Sequence, residues 1–315
     1  MILAWCALAC ATSPVPAAAP PPPAATPMPY GYWGLNGFLT PAALPAVRDR
    51  LRVGVVQTAT TDPVYAVSTL FPMAKAAGVR VSLRLVGDHP RYTHDGDFDL
   101  AAWTTQLERW EPAVLAPWIA DGTLVGHMLL DDIANFEGHD PTAAELDEMA
   151  RRSKARFPGL MTFVRERATA MPEPAGGRYL HVDAVVNQYK ALDGDVEAFA
   201  AETAARAAQL DLGVINGLNI ANGGDGSSGQ AGWAEGRWAM SAAEIRRNGR
   251  VMAAVPSCGM FLNWEYDGVE RWADGSVGAA WFDRAELTAA LAELGAVVAS
   301  HPAVELRRGS RKPSP

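Results

Sequence analysis

Short apolar or alternating runs recur along the chain. Each ends in polar residues and is followed by a longer stretch with apolar positions at helical spacing. Eight runs are predicted as strands. They are YGYWGLNGF (30–38), RVGVVQTA (52–59), VRVSLRLVGD (79–88) and LVGHMLLDD (124–132), then LMTFVRER (160–167), VDAVVNQYK (182–190), LGVINGLNI (212–220) and CGMFLNWEYD (258–267). Helical stretches sit between most of them. PTAAELDEMARRSKARF places Glu145 three residues after Thr142, the spacing of a capping box. DGDVEAFAAETAARAAQLD is rich in strong helix formers, and DRAELTAALAELGAVVAS is the last helix before the tail. Strand–helix alternation predicts a parallel sheet covered by helices. Eight units in about 275 residues fit a single-domain α/β fold, the (β/α)8 TIM barrel. The rival, a doubly wound open sheet, would carry a Gly-rich dinucleotide turn after its first strand, and none is present.

In such a barrel the active site is built at the C-terminal ends of the strands. The polar residues there become the candidates. Strand one supplies Trp33 and Asn36, strand two Gln57, and strand three Arg84 and Asp88. Strand four ends in Asp131 and Asp132, and strand five in Arg165 and Glu166. Strand six gives Asn187, Gln188 and Tyr189, strand seven Asn216 and Asn219, and strand eight Trp264, Glu265 and Tyr266. Carboxylates and amides suit a hydroxyl-rich ligand, because each accepts or donates in a fixed direction. Flat rings suit the C–H faces of a sugar. A carbohydrate is therefore the expected partner. Adjacent strand residues point to opposite faces, so alternation admits only one of Asp131 and Asp132 to the mouth, with Asp131 preferred. If Trp264 faces in, Glu265 faces away unless a bulge intervenes. Glu166 either supplies the second carboxylate or pairs with its neighbouring arginines. The Gly/Asn/Ser-rich stretch 217–233 reads as a substrate-binding loop, with Trp233 and Trp238 extending a cleft.

Composition narrows the classes further. The chain has 315 residues, a formal charge of −8 and a pI near 5.3, which argues against nucleic-acid binding. The six histidines form no metal-type pair, and no cofactor motif appears, so neither a metal nor a cofactor is expected. An all-oxygen site for a hard cation stays open. No charged residue precedes Arg48. The apolar opening and the Pro/Ala-rich stretch after it read as an export signal and tether over residues 1–29. Ala9 before Cys10 resembles a bacterial lipoprotein cleavage site, which would place a lipid on Cys10 and tether the protein to a membrane. The barrel is assigned to residues 30–305 and a basic flexible tail to 306–315.

LLDD at strand four, NQY at strand six and NWEY at strand eight together resemble the glycosidase superfamily of (β/α)8 barrels. The apolar run into Asp131 is similar to the endo-α-1,4-polygalactosaminidase family, and the aromatic on strand eight to chitinase-like barrels. The D-x-x-D-x-D-x-E spacing of the latter is absent, as are the Asn-Glu of strand four and the Glu of strand seven found in many retaining β-glycosidases. The resemblance implies an exported glycoside hydrolase. Two carboxylates would act, drawn from Asp131, Asp132, Glu265 and Glu166. Trp33, Asn36, Gln57, Arg84, Asp88, Asn187, Gln188, Tyr189, Asn216, Asn219, Trp264 and Tyr266 would hold the sugar. The alternatives are a non-catalytic carbohydrate-binding barrel at the cell surface, and a lyase or isomerase using a divalent cation.

Overall fold

β-branched and aromatic runs bounded by turn residues close into one ring in the computed structural model. It describes residues 26–35, 39–134, 136–264, 270–271, 277–278 and 284–306. The strands are β1 (Tyr30–Trp33), β2 (Val55–Ala59), β3 (Arg80–Arg84), β4 (Leu124–Asp131), β5 (Met161–Arg165), β6 (Ala184–Tyr189), β7 (Gly213–Leu218) and β8 (Cys258–Asn263). Each pairs in parallel with its sequence neighbours, and β8 pairs with β1 to close the barrel. Closure leaves none of these eight strands with a free edge.

The helices are α1 (Ala43–Leu51), α2 (residues 63–76, with a π-turn at Ala66–Leu70), α3 (Leu100–Glu108), α4 (Pro112–Ala120), α5 (Ala143–Arg156), α6 (Val196–Gln209), α7 (Ala242–Ala253) and α8 (Ala285–Ser300). Their starts are written in the sequence. Thr142 and Glu145 form the expected capping box on α5, and Ser241 and Glu244 form a second on α7. Asp99 and Asp195 cap α3 and α6 with their carboxylates. The units are uneven. Two helices separate β3 from β4, because Pro112 opens a second helix after the first has ended. Between β5 and β6 the only helical turn is the 3-10 segment Ala168–Ala170.

The core has two layers. Between strands and helices lies a continuous apolar shell that includes Tyr30, Leu83, Leu129, Leu130, Val185 and Phe261. Inside the barrel a smaller set, including Val55, Met128, Phe163, Val186, Ile215 and Leu262, fills the centre. Gly217 is required by the tightness of this ring: a Cβ there would lie 1.8 Å from the Leu262 carbonyl oxygen. Segments that flank the first strand and the last helix meet at the floor. The Met28 N–H donates to the His301 carbonyl, and Leu306 packs into the barrel interior against Gly213 and Gly259. Met28, Pro29 and Leu306, read from composition as parts of flanking segments, are buried here. Arg80 lies at this floor, beside a cavity of about 370 Å³.

Candidate functional site

Alternation sorts the strand-end residues. On β2 and β3, Gln57 and Ser82 are register partners, two residues below Ala59 and Arg84 on the same faces. On β5, Met161 and Phe163 lie in the interior, so Arg165 follows them inward. β4 breaks step. Met128 is opposite Phe163, but Asp131 is opposite Arg165, so three residues on β4 span two on β5. This bulge sends both Leu129 and Leu130 into the outer shell and returns Asp131 to the mouth. Asp132 follows the strand with φ +49°, a left-handed conformation that turns its carboxylate back toward Arg165 as well. Both aspartates therefore reach the same guanidinium, where alternation alone admits only one.

The result is a row of alternating charges across the mouth, Asp88, Arg84, Asp131, Arg165 and Asp132. Arg84 donates through Nη2 to Asp88 and through Nη1 to Asp131 Oδ2, the latter at 3.1 Å. Arg165 donates through Nε to Asp131 Oδ1, pairs through Nη2 with Asp132, and donates through Nη1 to Gln188 Oε1 at 3.2 Å. The centre of the row is buried and its ends open: the side chains of Arg84 and Arg165 are 8% and 12% exposed, those of Asp88 and Asp132 72% and 41%. Both oxygens of Asp131 accept from arginines, which stay protonated. Its backbone carbonyl accepts from His89 Nε2, and the His89 ring stacks on Phe136. The Arg84 guanidinium lies 5.3 Å from the centre of the Trp33 ring.

Two cavities flank Asp131. One, of about 280 Å³, is lined by Arg84, Asp88, His89, Pro90 and Asp131. The other, of about 130 Å³, brings Asp132 and Glu166 together with Arg165, Arg167, Gln188 and Lys190. Burial holds the Glu166 carboxyl above the usual carboxylate range, and the charge of Asp132 adds to this. The Arg167 N–H bond and the charges of Arg165 and Arg167 oppose it. Among the described residues, no group of three or more His, Cys, Asp or Glu side chains is placed to hold a metal ion.

Neither a protein-family model nor a curated protein matches the sequence. Solved structures do match in fold. Saccharomyces cerevisiae Gas2p in complex with laminaritriose and laminaritetraose aligns over 86% of this chain and 64% of its own, with TM-score 0.52 and 10% identity. The catalytic domain of the major endoglucanase from Xanthomonas campestris pv. campestris aligns over 88% and 95%, with TM-score 0.50 and 10% identity. The exo-beta-1,4-mannosidase Op5Man5 from Opitutaceae bacterium strain TAV5 aligns over 88% and 60%, with TM-score 0.58 and 11% identity. The shared fold is a closed (β/α)8 barrel. The chain spans under two thirds of the length of the yeast protein and of the mannosidase.

Several candidates turn away from the mouth of the barrel. Asn187 and Asn216 face the helices: Asn187 Oδ1 accepts from the Ala168 N–H at 2.9 Å, and Asn216 Nδ2 donates to the Met252 carbonyl at 2.8 Å. Tyr189 points the same way, its ring edge-on to Phe199 and its hydroxyl donating to the Gly194 carbonyl. The physical reason is parity, since all three are an odd number of positions from the inward Gln188 or Ile215. Asn219 spends its side-chain oxygen on the Asn222 N–H inside its own loop. Gln57 is fully buried, with Nε2 donating to the Thr58 carbonyl and Oε1 without a partner among the described residues. Trp264 meets Trp233 edge-on at 5.5 Å. Asn36, Glu265 and Tyr266 lie outside the described residues, as do residues 1–25 with Cys10. Sequence reasoning missed His89 and Lys190. Lys190 carries a signal in its place at the end of strand six, whereas the bond from His89 to Asp131 leaves no mark in the sequence.

Proposed function

We propose that the protein is an exported glycoside hydrolase that cleaves an oligo- or polysaccharide by two-carboxylate catalysis, with Glu166 as proton donor and Asp132 as its partner. One observation carries the assignment: Glu166 and Asp132 line the same cavity, and their surroundings differ in kind. Glu166 is half-buried with its carboxyl pushed up, which suits a group that must hold a proton near neutrality. Asp132 is tied to Arg165 and suits attack on the anomeric carbon or activation of water. Gln188, held by Arg165, presents an amide for a sugar hydroxyl. The fold likeness to an endoglucanase and a mannosidase supports the class by analogy. Export rests on the uncharged, apolar N-terminus, with lipid attachment at Cys10 as its tethered form.

The test is the pH profile of kcat/KM on a panel of β-glucans and mannans. Because Glu166 acts protonated and its carboxyl is raised, activity is lost as pH climbs through that raised value. Glu166→Gln is expected to lower kcat by roughly 100-fold or more and to remove the alkaline limb. Asp132→Asn is expected to lower kcat comparably while leaving that limb. An alkaline limb unchanged in Glu166→Gln would rule Glu166 out as donor. A second reading, a non-catalytic binding barrel, is favoured by the engagement of both Asp131 oxygens with arginines. It predicts saturable glycan binding with no turnover on the same panel.

A further inference from the structure

The loop after β7 was expected to be a substrate-binding loop, and a stretch so rich in glycine and serine invites the idea of a lid. It is instead pinned at several points. Glu244, 2% exposed at the start of α7, accepts from the Asp225 N–H at 2.8 Å, the Ser227 hydroxyl at 3.2 Å, and both the N–H and hydroxyl of Ser241. Ala231 and Trp238 pair as an antiparallel bridge, and the Gly224 N–H donates to the Trp238 carbonyl. Arg284 ties the loop to the start of α8 through Gln230 Oε1 at 3.0 Å.

On this fixed loop Trp238 is 42% exposed, against 0% for Trp103 and Trp110 in the core. The indole rests on Gly226: a Cβ there would lie 3.5–3.6 Å from three of its ring atoms. Gly226 has φ +95°, so glycine serves both the turn and the seat of the ring. Exposing a large aromatic to water forgoes its burial energy, and a seat on the backbone lowers the entropy cost of ordering it on binding. An exposed ring seated on Gly226 suits the apolar C–H face of a pyranose. The loop leads back to the mouth through the Trp233–Trp264 contact.

We infer that Trp238 is a distal binding platform for an extended glycan chain, outside the cavity that holds Asp132 and Glu166. The inference rests on the glycan-binding part of the proposed function and not on turnover. Affinity electrophoresis in gels containing soluble β-1,3-glucan, carboxymethyl cellulose or mannan tests it with the full chain. Wild type is expected to be retarded by at least one polymer. Trp238→Ala should weaken that dissociation constant roughly tenfold. Trp238→Tyr, which keeps a ring on Gly226, should restore most of it. The ratio of polymer to trisaccharide kcat/KM should fall in Trp238→Ala by a similar factor. Retardation equal in all three proteins, or absent for every polymer while trisaccharides are hydrolysed, overturns the inference. Equal losses in Trp238→Ala and Trp238→Tyr would overturn it too, since the ring itself would then not be the binding element. Polymer binding that depends on Trp238 without any hydrolysis would keep the platform and refute the hydrolase.

Discussion

Two polar rows cross the upper half of this barrel, and they serve opposite faces of the same sheet. On β3 to β6, Arg84, Asp131, Arg165 and Gln188 face inward and form one connected charged row. On β6 to β8, Asn187, Asn216 and Asn263 face outward. Asn187 holds the Ala168 N–H, Asn216 the Met252 carbonyl, and Asn263 the Leu218 N–H. In the sequence both rows look alike, as polar residues at the ends of apolar strands. An amide at a strand end is thus as readily a bracket between sheet and helix as a contact for a ligand. The inward row in turn contains a member, Asp131, whose first task is to neutralise two arginines.

Asp131→Asn is expected to be the most damaging substitution in either row. It removes the carboxylate shared by two largely buried guanidinium groups, leaving each only its more exposed partner, Asp88 or Asp132; with two charge-assisted hydrogen bonds weakened, a loss of about 3 kcal/mol in unfolding free energy is expected in urea titrations. A neutral result would mean that the centre of the row is not structural. Next comes Asn187→Ala in the outer row. It strands the buried Ala168 N–H and should cost about 2 kcal/mol, while the pH limbs of activity stay in place. Movement of those limbs would return Asn187 to the mouth. Over the range between pH 7 and pH 5 the smallest effect concerns His127, an outward residue of β4 that is fully buried, stacked on Trp103 and 2.8 Å from the Ser153 hydroxyl. Burial pushes its pKa down from 6.5 to about 3. The folded state keeps it neutral while the unfolded chain takes up a proton below 6.5. Stability is therefore present above that value and lost as pH falls toward 3, by up to about 1.4 kcal/mol per pH unit. Unfolding titrations at pH 7 and pH 5 should show a smaller difference in His127→Gln than in wild type.

The fold was legible because strands and helices repeat with different periods, and because Thr142–Glu145 and Asp195 mark helix starts in one dimension. The site was legible only in part. Period-two alternation, applied to Asn187, Gln188 and Tyr189, separates the one inward side chain from its two outward neighbours, and reading all three as ligand contacts ignored it. The convergence of Asp131 and Asp132 on Arg165 was not legible. It depends on a bulge and a left-handed residue, and LLDD reads the same with or without them. The missing helix between β5 and β6 leaves the 3-10 turn Ala168–Ala170 where the repeat predicts a full helix.

The bulge in β4 amounts to a change of phase within one strand. Gly126 and Met128 look into the barrel at even positions, and past the two leucines Asp131 does so at an odd one. Two successive leucines can thus anchor the strand in the apolar shell, with the Leu129 carbonyl accepting from the Trp103 indole, before the chain delivers its carboxylate to the centre. A strand of the same sequence kept strictly in step would point Leu130 at the arginines and bury Asp131 among the helices. The charged mouth of this barrel therefore depends on a parity error held in place by packing.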